Sequence, residues 1–188
     1  MQYFTEEATH WEAPPKSFRA ASDAYKAHLA ELWPHLSPEM QTLSEMDLQD
    51  GLVRQVVLDH RADTIILRLR CGCAQDPQGR PVGYFDLDIH YRGILLTPPE
   101  MATLKEAGRE RVELLYDEIE RETNGLFVHR FLCAGFKGRR LGEIVIRFRE
   151  LEMVRTPREQ RYGRLGWPHR RCVEIPLMPT THQGNDAP

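Results

Sequence analysis

Asp86, Asp88 and His90 alternate within the run Tyr84-Phe-Asp-Leu-Asp-Ile-His-Tyr-Arg-Gly93. On an extended strand, alternate residues share a face and stand about 7 Å apart. Two carboxylates and an imidazole arranged this way can ligate a divalent cation and support a metal-dependent reaction. The same pattern has a plainer use. Arg68 and Arg70 alternate in the preceding apolar run, and opposite charges on neighbouring strands pair as ordinary sheet chemistry. Guanidinium groups beside the carboxylates also repel a cation. Pairing of Asp86 and Asp88 with Arg68 or Arg70 is therefore the expectation, with Asp86, Asp88 and His90 as metal ligands the alternative.

Cys71-Gly72-Cys73 invites a metal or redox reading. Structural zinc sites space their cysteines by two to four residues, not one. Alternation instead places both sulfurs on the apolar face with Leu67 and Leu69, where free thiols are common. Cys133 with His129, and Cys172 with His169, are the remaining soft ligands a thiol site could recruit. A third group is cationic. Arg54, Arg68, Arg70, Arg92, Arg147 and Arg149 fall on the polar side of their strands, with Asp86, Asp88 and Glu143 among them. Such a mixed face can recognise a protein or a phosphate-bearing ligand, and Arg68, Arg70, Arg92, Arg147 and Arg149 are its candidate binding residues. The chain has no Gly-rich phosphate loop, His-Glu-x-x-His or Gly-x-Ser-x-Gly, so neither a catalytic signature nor a cofactor is expected. Tyr116-Asp117-Glu118 with Glu120 and Glu122 reads as the solvated acidic end of a helix.

These groups must be positioned by local elements. An apolar stripe of Phe18, Ala21, Tyr25, Leu29, Leu32 and Trp33 predicts a helix over residues 16–33, stopped by Pro34. Ser37-Pro38 opens a short second helix ending near Ser44. Alternation predicts strands over 51–60, 63–73, 83–95, 126–134 and 141–154. Thr97-Pro98-Pro99-Glu100 opens a long helix. Its stripe, Met101, Leu104, Gly108, Val112, Leu115 and Ile119, runs to a stop at Asn124-Gly125. Periodicity is lost from Arg155 onward, although residues 172–177 read as an added edge strand. The fold class expected is α+β. An antiparallel sheet of about five strands is packed on one face by two longer helices, the first contacting Ile65, Leu67, Leu87, Ile89, Ile144 and Ile146. One domain covers residues 1–155, and residues 156–188 form an irregular basic tail whose end is disordered.

With 188 residues, 41% apolar and 28% charged, the chain suits one globular domain. Its net charge of −3 excludes a uniformly cationic nucleic-acid coat. The distribution is uneven, however. Residues 1–129 hold 13 Lys+Arg against 22 Asp+Glu, whereas residues 130–171 hold 12 against 4. The basic segment can fold onto the acidic body, meet an acidic partner, or touch nucleic acid through its arginines with Tyr162 and Trp167 stacking. No apolar run reaches the roughly 18 residues of a membrane span, and the start lacks a secretory pattern. Four cysteines do not make a disulfide scaffold in a chain this long. A cytoplasmic protein without membrane contact is expected.

Residues 1–155 also resemble a family of bacterial proteins described as a domain of unknown function. The resemblance rests on Met1-Gln-Tyr-Phe-Thr, Asp47-Leu-Gln-Asp-Gly51, the Tyr84–Gly93 run, Leu114-Leu-Tyr-Asp-Glu118 and Glu143-Ile-Val-Ile-Arg-Phe-Arg-Glu-Leu-Glu152. It implies a soluble bacterial protein and no particular activity. The family's His-Asp pair before the first strand is Gln49-Asp50 here. The expected function is a non-enzymatic interaction module of inhibitor or accessory type, with a protein partner. A metal-dependent enzyme and a nucleic-acid contact through the tail are the alternatives.

Overall fold

The computed structural model describes residues 1–5, 15–59, 61–75, 81–138 and 140–158. Helix α1 spans Pro15–Leu32 and a 3₁₀ turn follows at Trp33–His35, where Pro34 ends the helical ladder. Helix α2 spans Pro38–Ser44, its Ser37 hydroxyl accepting from the Met40 N–H at 3.3 Å. Strands β1 (Leu52–Asp59), β2 (Thr64–Gln75) and β3 (Pro81–Arg92) form an antiparallel meander. Helix α3 spans Pro98–Glu110, and the Glu100 carboxylate accepts from both the Thr97 N–H and its hydroxyl at 2.8 Å. Strands β4 (Glu113–Arg121), β5 (Phe127–Phe136), β6 (Arg140–Phe148) and β7 (Glu150–Arg158) complete the described chain. No described helix is long and apolar enough to cross a membrane.

The α+β class and the antiparallel sheet agree with expectation, but the sheet has seven strands rather than five. Two local misreadings account for the difference. The helix predicted to run from Thr97 to Asn124 leaves the α conformation at Arg111, whose φ is 55°. Residues beyond it form β4. Val112, Leu115 and Ile119 fit a helical stripe, but Val112 and Leu114 fit a strand equally well, and a bulge between Leu114 and Tyr116 absorbs the change of phase. Pairing with β5 decides between them. Asn124-Gly125 is accordingly the turn of the β4–β5 hairpin. Gly125 sits at φ 84°, where a Cβ would be strained, and Glu122 N–H donates to Leu126 O at 2.8 Å.

The second misreading is the single strand predicted over 141–154. It breaks at Arg149 into β6 and β7. The sheet order is β6-β5-β4-β1-β2-β3-β7, so these two consecutive strands occupy opposite ends of the sheet. One intervening residue can span that distance only if the sheet curls until its ends meet. Arg149 N–H donates to Arg92 O at 2.9 Å, and Leu95 N–H to Arg147 O at 3.0 Å, at this corner. The opposite corner is the short β1–β4 contact, where Val53 N–H reaches Val112 O and Leu114 N–H reaches Gly51 O. The result is two walls, β4–β5–β6 and β1–β2–β3–β7, facing each other. Residues 155–158 continue β7, so the segment expected to be irregular starts as strand. Residues 159–188, including 172–177, lie outside the described residues.

Between the walls sit Ile65, Leu67, Leu69 and Cys71 of β2, Phe85, Leu87, Ile89 and Tyr91 of β3, and Ile144, Ile146 and Phe148 of β6, all buried. This is the face that alternation predicted. Of the two longer helices expected on this face, only the second fills it. Leu104 and Ala107 of α3 and Met40 and Leu43 of α2 join this core, and α3 packs on β1, β5 and β6. Helix α1 contributes Leu32, but its contacts with the sheet are to β4. Its Phe18 and Tyr25 meet the opposite, outer face of that wall, against Tyr116 and the Ile119 backbone. With cover on both faces, β5 is buried at the successive residues Phe131, Leu132 and Cys133.

Candidate functional site

The wall β1–β2–β3–β7 presents an outer face that carries most of the sequence-predicted site. Register places Arg68 opposite Asp88 and Arg70 opposite Asp86. Arg68 Nε lies 3.2 Å from Asp88 Oδ2 and its Nη1 donates to Gln55 at 2.9 Å. Arg70 Nε lies 3.1 Å from Asp86 Oδ1, and Arg92 pairs with Glu152 on β7 at 2.9 Å. His90 stands level with Ile66 and Glu152. The carboxylates of Asp86 and Asp88 therefore face guanidinium groups. Among the described residues, no group of three His, Cys, Asp or Glu is placed to hold a metal ion. These pairs are partly exposed, and Asp88→Ala should cost only about 0.2–1 kcal/mol in urea unfolding.

The five candidate arginines do not form one patch. Arg68, Arg70 and Arg92 share the open face, whereas Arg149 marks the bend between β6 and β7 and lies across Gly93. Arg147 belongs to the other wall. Its guanidinium bridges Glu100 of α3 and Glu122, with Nε 2.8 Å from Glu122 Oε1. The Arg147 hydrogen bond holds the Glu122 carboxyl below its usual range. At Glu100, burial works the other way and is outweighed by bonds from Thr97 and Arg147, so its pKa is also lowered. A carboxylate with a depressed folded pKa stabilises fully above its unfolded value, about 4.3, and loses that contribution as pH falls through the folded value. Melting measured from pH 6 downward should therefore drop below about pH 4, and Arg147→Met should remove that part of the slope. An identical acid slope in the variant would refute the clamp.

A thiol site does not assemble among the described residues, in keeping with the reading of Cys71 as a thiol on the apolar face. Cys71 and Cys133 are buried and free. Burial pushes the Cys71 thiol up to about 12 and the Cys133 thiol higher still, which makes both poor nucleophiles. The side chain of Cys73, and His169 and Cys172, lie outside the described residues, as do Tyr162 and Trp167. His129 has another role. Its Nδ1 lies 2.9 Å from the Tyr91 hydroxyl and its Nε2 lies 3.0 Å from Asp117 Oδ2. Tyr91 and His129 are both fully buried, and burial with the nearby Asp117 raises the tyrosine pKa well above normal. The tyrosine O–H donates to one ring nitrogen and the other ring N–H donates to the carboxylate, so the Tyr91 hydroxyl and both His129 ring nitrogens have partners. Tyr91→Phe should cost about 1–3 kcal/mol by orphaning Nδ1. A loss under 0.5 kcal/mol in chemical denaturation would rule out that bond.

Sequence reasoning missed a groove on the outer face of β4–β5–β6. Glu118, expected on a solvated helix end, is completely buried. Its carboxylate accepts the backbone N–H groups of Gln2, Tyr3 and Phe4 at 2.7, 2.7 and 2.6 Å. The Met1 amine lies 2.6 Å from Glu143, which also receives Arg130 at 3.1 Å. Phe4 stacks on Tyr116 with ring centres 5.1 Å apart and meets Tyr25 edge-on at 5.4 Å. Tyr3 lies 5.5 Å from Tyr25 and 5.4 Å from His28. Helix α1 is fixed to the groove by Tyr25, whose hydroxyl accepts the Ile119 N–H at 2.8 Å. The only sequence signal for this groove was the unusual clustering of aromatic residues in 1–25 with acidic ones in 116–122. Set beside known proteins, the chain matches no family model, no curated protein and no solved structure.

Proposed function

We propose that the protein is a non-catalytic interaction module that meets a protein partner through the outer face of β1–β2–β3–β7. The observation that carries this reading is the unequal cover of the two walls. The outer face of β4–β5–β6 lies under residues 1–5 and α1, while no described element lies over the charged face bearing Arg68, Arg70 and Arg92. Leu52 and Val154, 38% and 56% exposed, are apolar points at the borders of that face. Rows of alternating charge with a few apolar anchors favour specific, electrostatically steered association over catalysis. The buried Tyr91–His129 pair, held by Asp117, and the raised thiol pKa values support the same side of the choice.

The test is capture from the native host with three baits: the unaltered chain, Arg68→Glu/Arg92→Glu, and a control altered on the other wall, Arg121→Glu. A protein held by the first and third baits and lost by the second is the expected result. A partner retained equally by all three would refute the assignment to this face. Stoichiometric metal kept through desalting and lost in Asp88→Ala would replace the reading with the metal-dependent enzyme.

A further inference from the structure

We propose that the free edge of β7 is a homodimer interface, where β7 of a second copy of this chain pairs antiparallel about a two-fold axis at Val154. The edge borders the charged outer face but is distinct from it, and the reading of that face is not needed here.

Sheet order leaves β7 at one end, paired with β3 alone. Helix α2 packs on it, and Met40, Leu43 and Leu151 share the core. No described strand takes its other edge. Main-chain groups are aimed at that edge. Gly93 N–H donates to Asp63 O on the β2 side, whereas Arg92 O accepts from Arg149 N–H on the β7 side. Consecutive residues of an antiparallel strand aim their main-chain groups in opposite directions, so Arg92, His90, Asp88 and Asp86 address β7. Their register partners Glu150, Glu152, Val154 and Thr156 address β3 in return. Leu151, Met153 and Arg155 therefore turn N–H and C=O groups to the open side, where Pro157 turns only a carbonyl. Such an edge is a template for one more strand.

The sequence of β7 selects its own copy as that strand. Its first half is acidic, with Glu150 and Glu152, and its second half is basic, with Arg155 and Arg158. Antiparallel pairing about Val154 sets Glu150 opposite Arg158 of the second copy, Glu152 opposite Thr156, and Val154 opposite its own counterpart. The two-fold axis repeats each unlike pair. Opposite charges at facing positions stabilise a strand pair and like charges oppose it. Parallel pairing in register would face Glu150 with Glu150 and Arg158 with Arg158. Val154, 56% exposed in a row otherwise polar from Glu150 to Thr156, gains an apolar neighbour at the centre. In this register Met153 exchanges main-chain bonds with Arg155 of the second copy, and Leu151 N–H meets the Pro157 carbonyl. The proline thus removes one donor at each end of the ladder and no more. A two-fold contact is closed, so it uses both edges and admits no third copy. It joins two β1–β2–β3–β7 walls into one sheet with a continuous charged face.

The experiment uses two charge reversals in the full chain, Glu150→Arg and Arg158→Glu. Sedimentation velocity is run over a concentration series on the unaltered chain, on each variant and on their equimolar mixture. The unaltered chain is expected to show a monomer–dimer equilibrium. Each variant alone meets like charges twice across the axis, and its dimer should weaken at least about tenfold. The mixture restores both unlike pairs, so a heterodimer should return. An unaltered chain that stays monomeric up to about 1 mM overturns the proposal and leaves the edge to the residues that follow Arg158. A dimer that both variants keep lies on another surface and overturns it as well. So does a mixture no more associated than its components, or an oligomer that grows beyond two. Should either variant not fold, amide exchange on the unaltered chain decides. Met153 and Arg155 should gain protection as concentration rises, and unchanged exchange overturns the proposal.

Discussion

Glu118→Ala is expected to lower stability by about 3–5 kcal/mol, the range for stripping the partner from buried charged hydrogen bonds. The carboxylate is the shared acceptor of the Gln2, Tyr3 and Phe4 N–H groups, and all three bonds are 2.7 Å or shorter. Alanine leaves those donors without their acceptor and opens a void beneath the first five residues. The contributions are not additive, because releasing one donor frees the segment and the others with it. Glu118→Gln should fall between, since Oε1 still accepts from Tyr3 and Phe4 while the new amide meets the Gln2 N–H with a donor. Urea unfolding of the three proteins checks this order. An alanine variant within 1 kcal/mol of the parent would show that residues 2–4 are not held by this carboxylate.

Leu87→Ala is expected to cost about 2–5 kcal/mol. Leu87 is fully buried between the walls and is flanked in register by Leu69 of β2 and Arg155 of β7. The site is fixed by strands on both sides, so collapse around the lost methyl groups is limited. Val154, in the neighbouring strand but on the outer face and 56% exposed, is the control. Val154→Ala should stay within about 0.5 kcal/mol. A small loss at Leu87 or a large one at Val154 would mean that the faces of β3 and β7 are exchanged.

The two predictions differ in how readily the sequence discloses them. Leu87 is legible from Phe85, Leu87, Ile89 and Tyr91 alternating with charged residues, because a half-buried strand writes its two environments into successive residues. The pairing of Arg68 with Asp88 and Arg70 with Asp86 was legible for the same reason, once two neighbouring strands shared a polar face. The starts of α2 and α3 were legible because Ser37-Pro38 and Thr97-Pro98-Pro99-Glu100 satisfy helix ends with their own side chains. Glu118 was not legible. The partners that justify its burial are more than a hundred residues away, and nothing near Glu118 in sequence distinguishes it from the exposed acids of a helix.

What the sequence determined by itself was thus local in range: strand alternation, the faces of β2 and β3, helix starts and cross-strand charge chemistry. Tertiary structure decided the rest. Residues 113–121 carry apolar residues that satisfy either period, and only the free edge of β5 selects strand over helix. Ile144, Ile146 and Phe148 announce a strand but not the bend at Arg149. The bend exists because β6 pairs with β5 and β7 with β3 at the two ends of a curled sheet. The same curl takes Arg147 away from Arg68 and Arg70 and gives it to Glu100 and Glu122. It also brings Tyr91 and His129 together across the interior. Local rules describe how a residue treats its nearest turn or strand, whereas sheet closure is a balance among pairings distant in sequence, each available only after the others have formed.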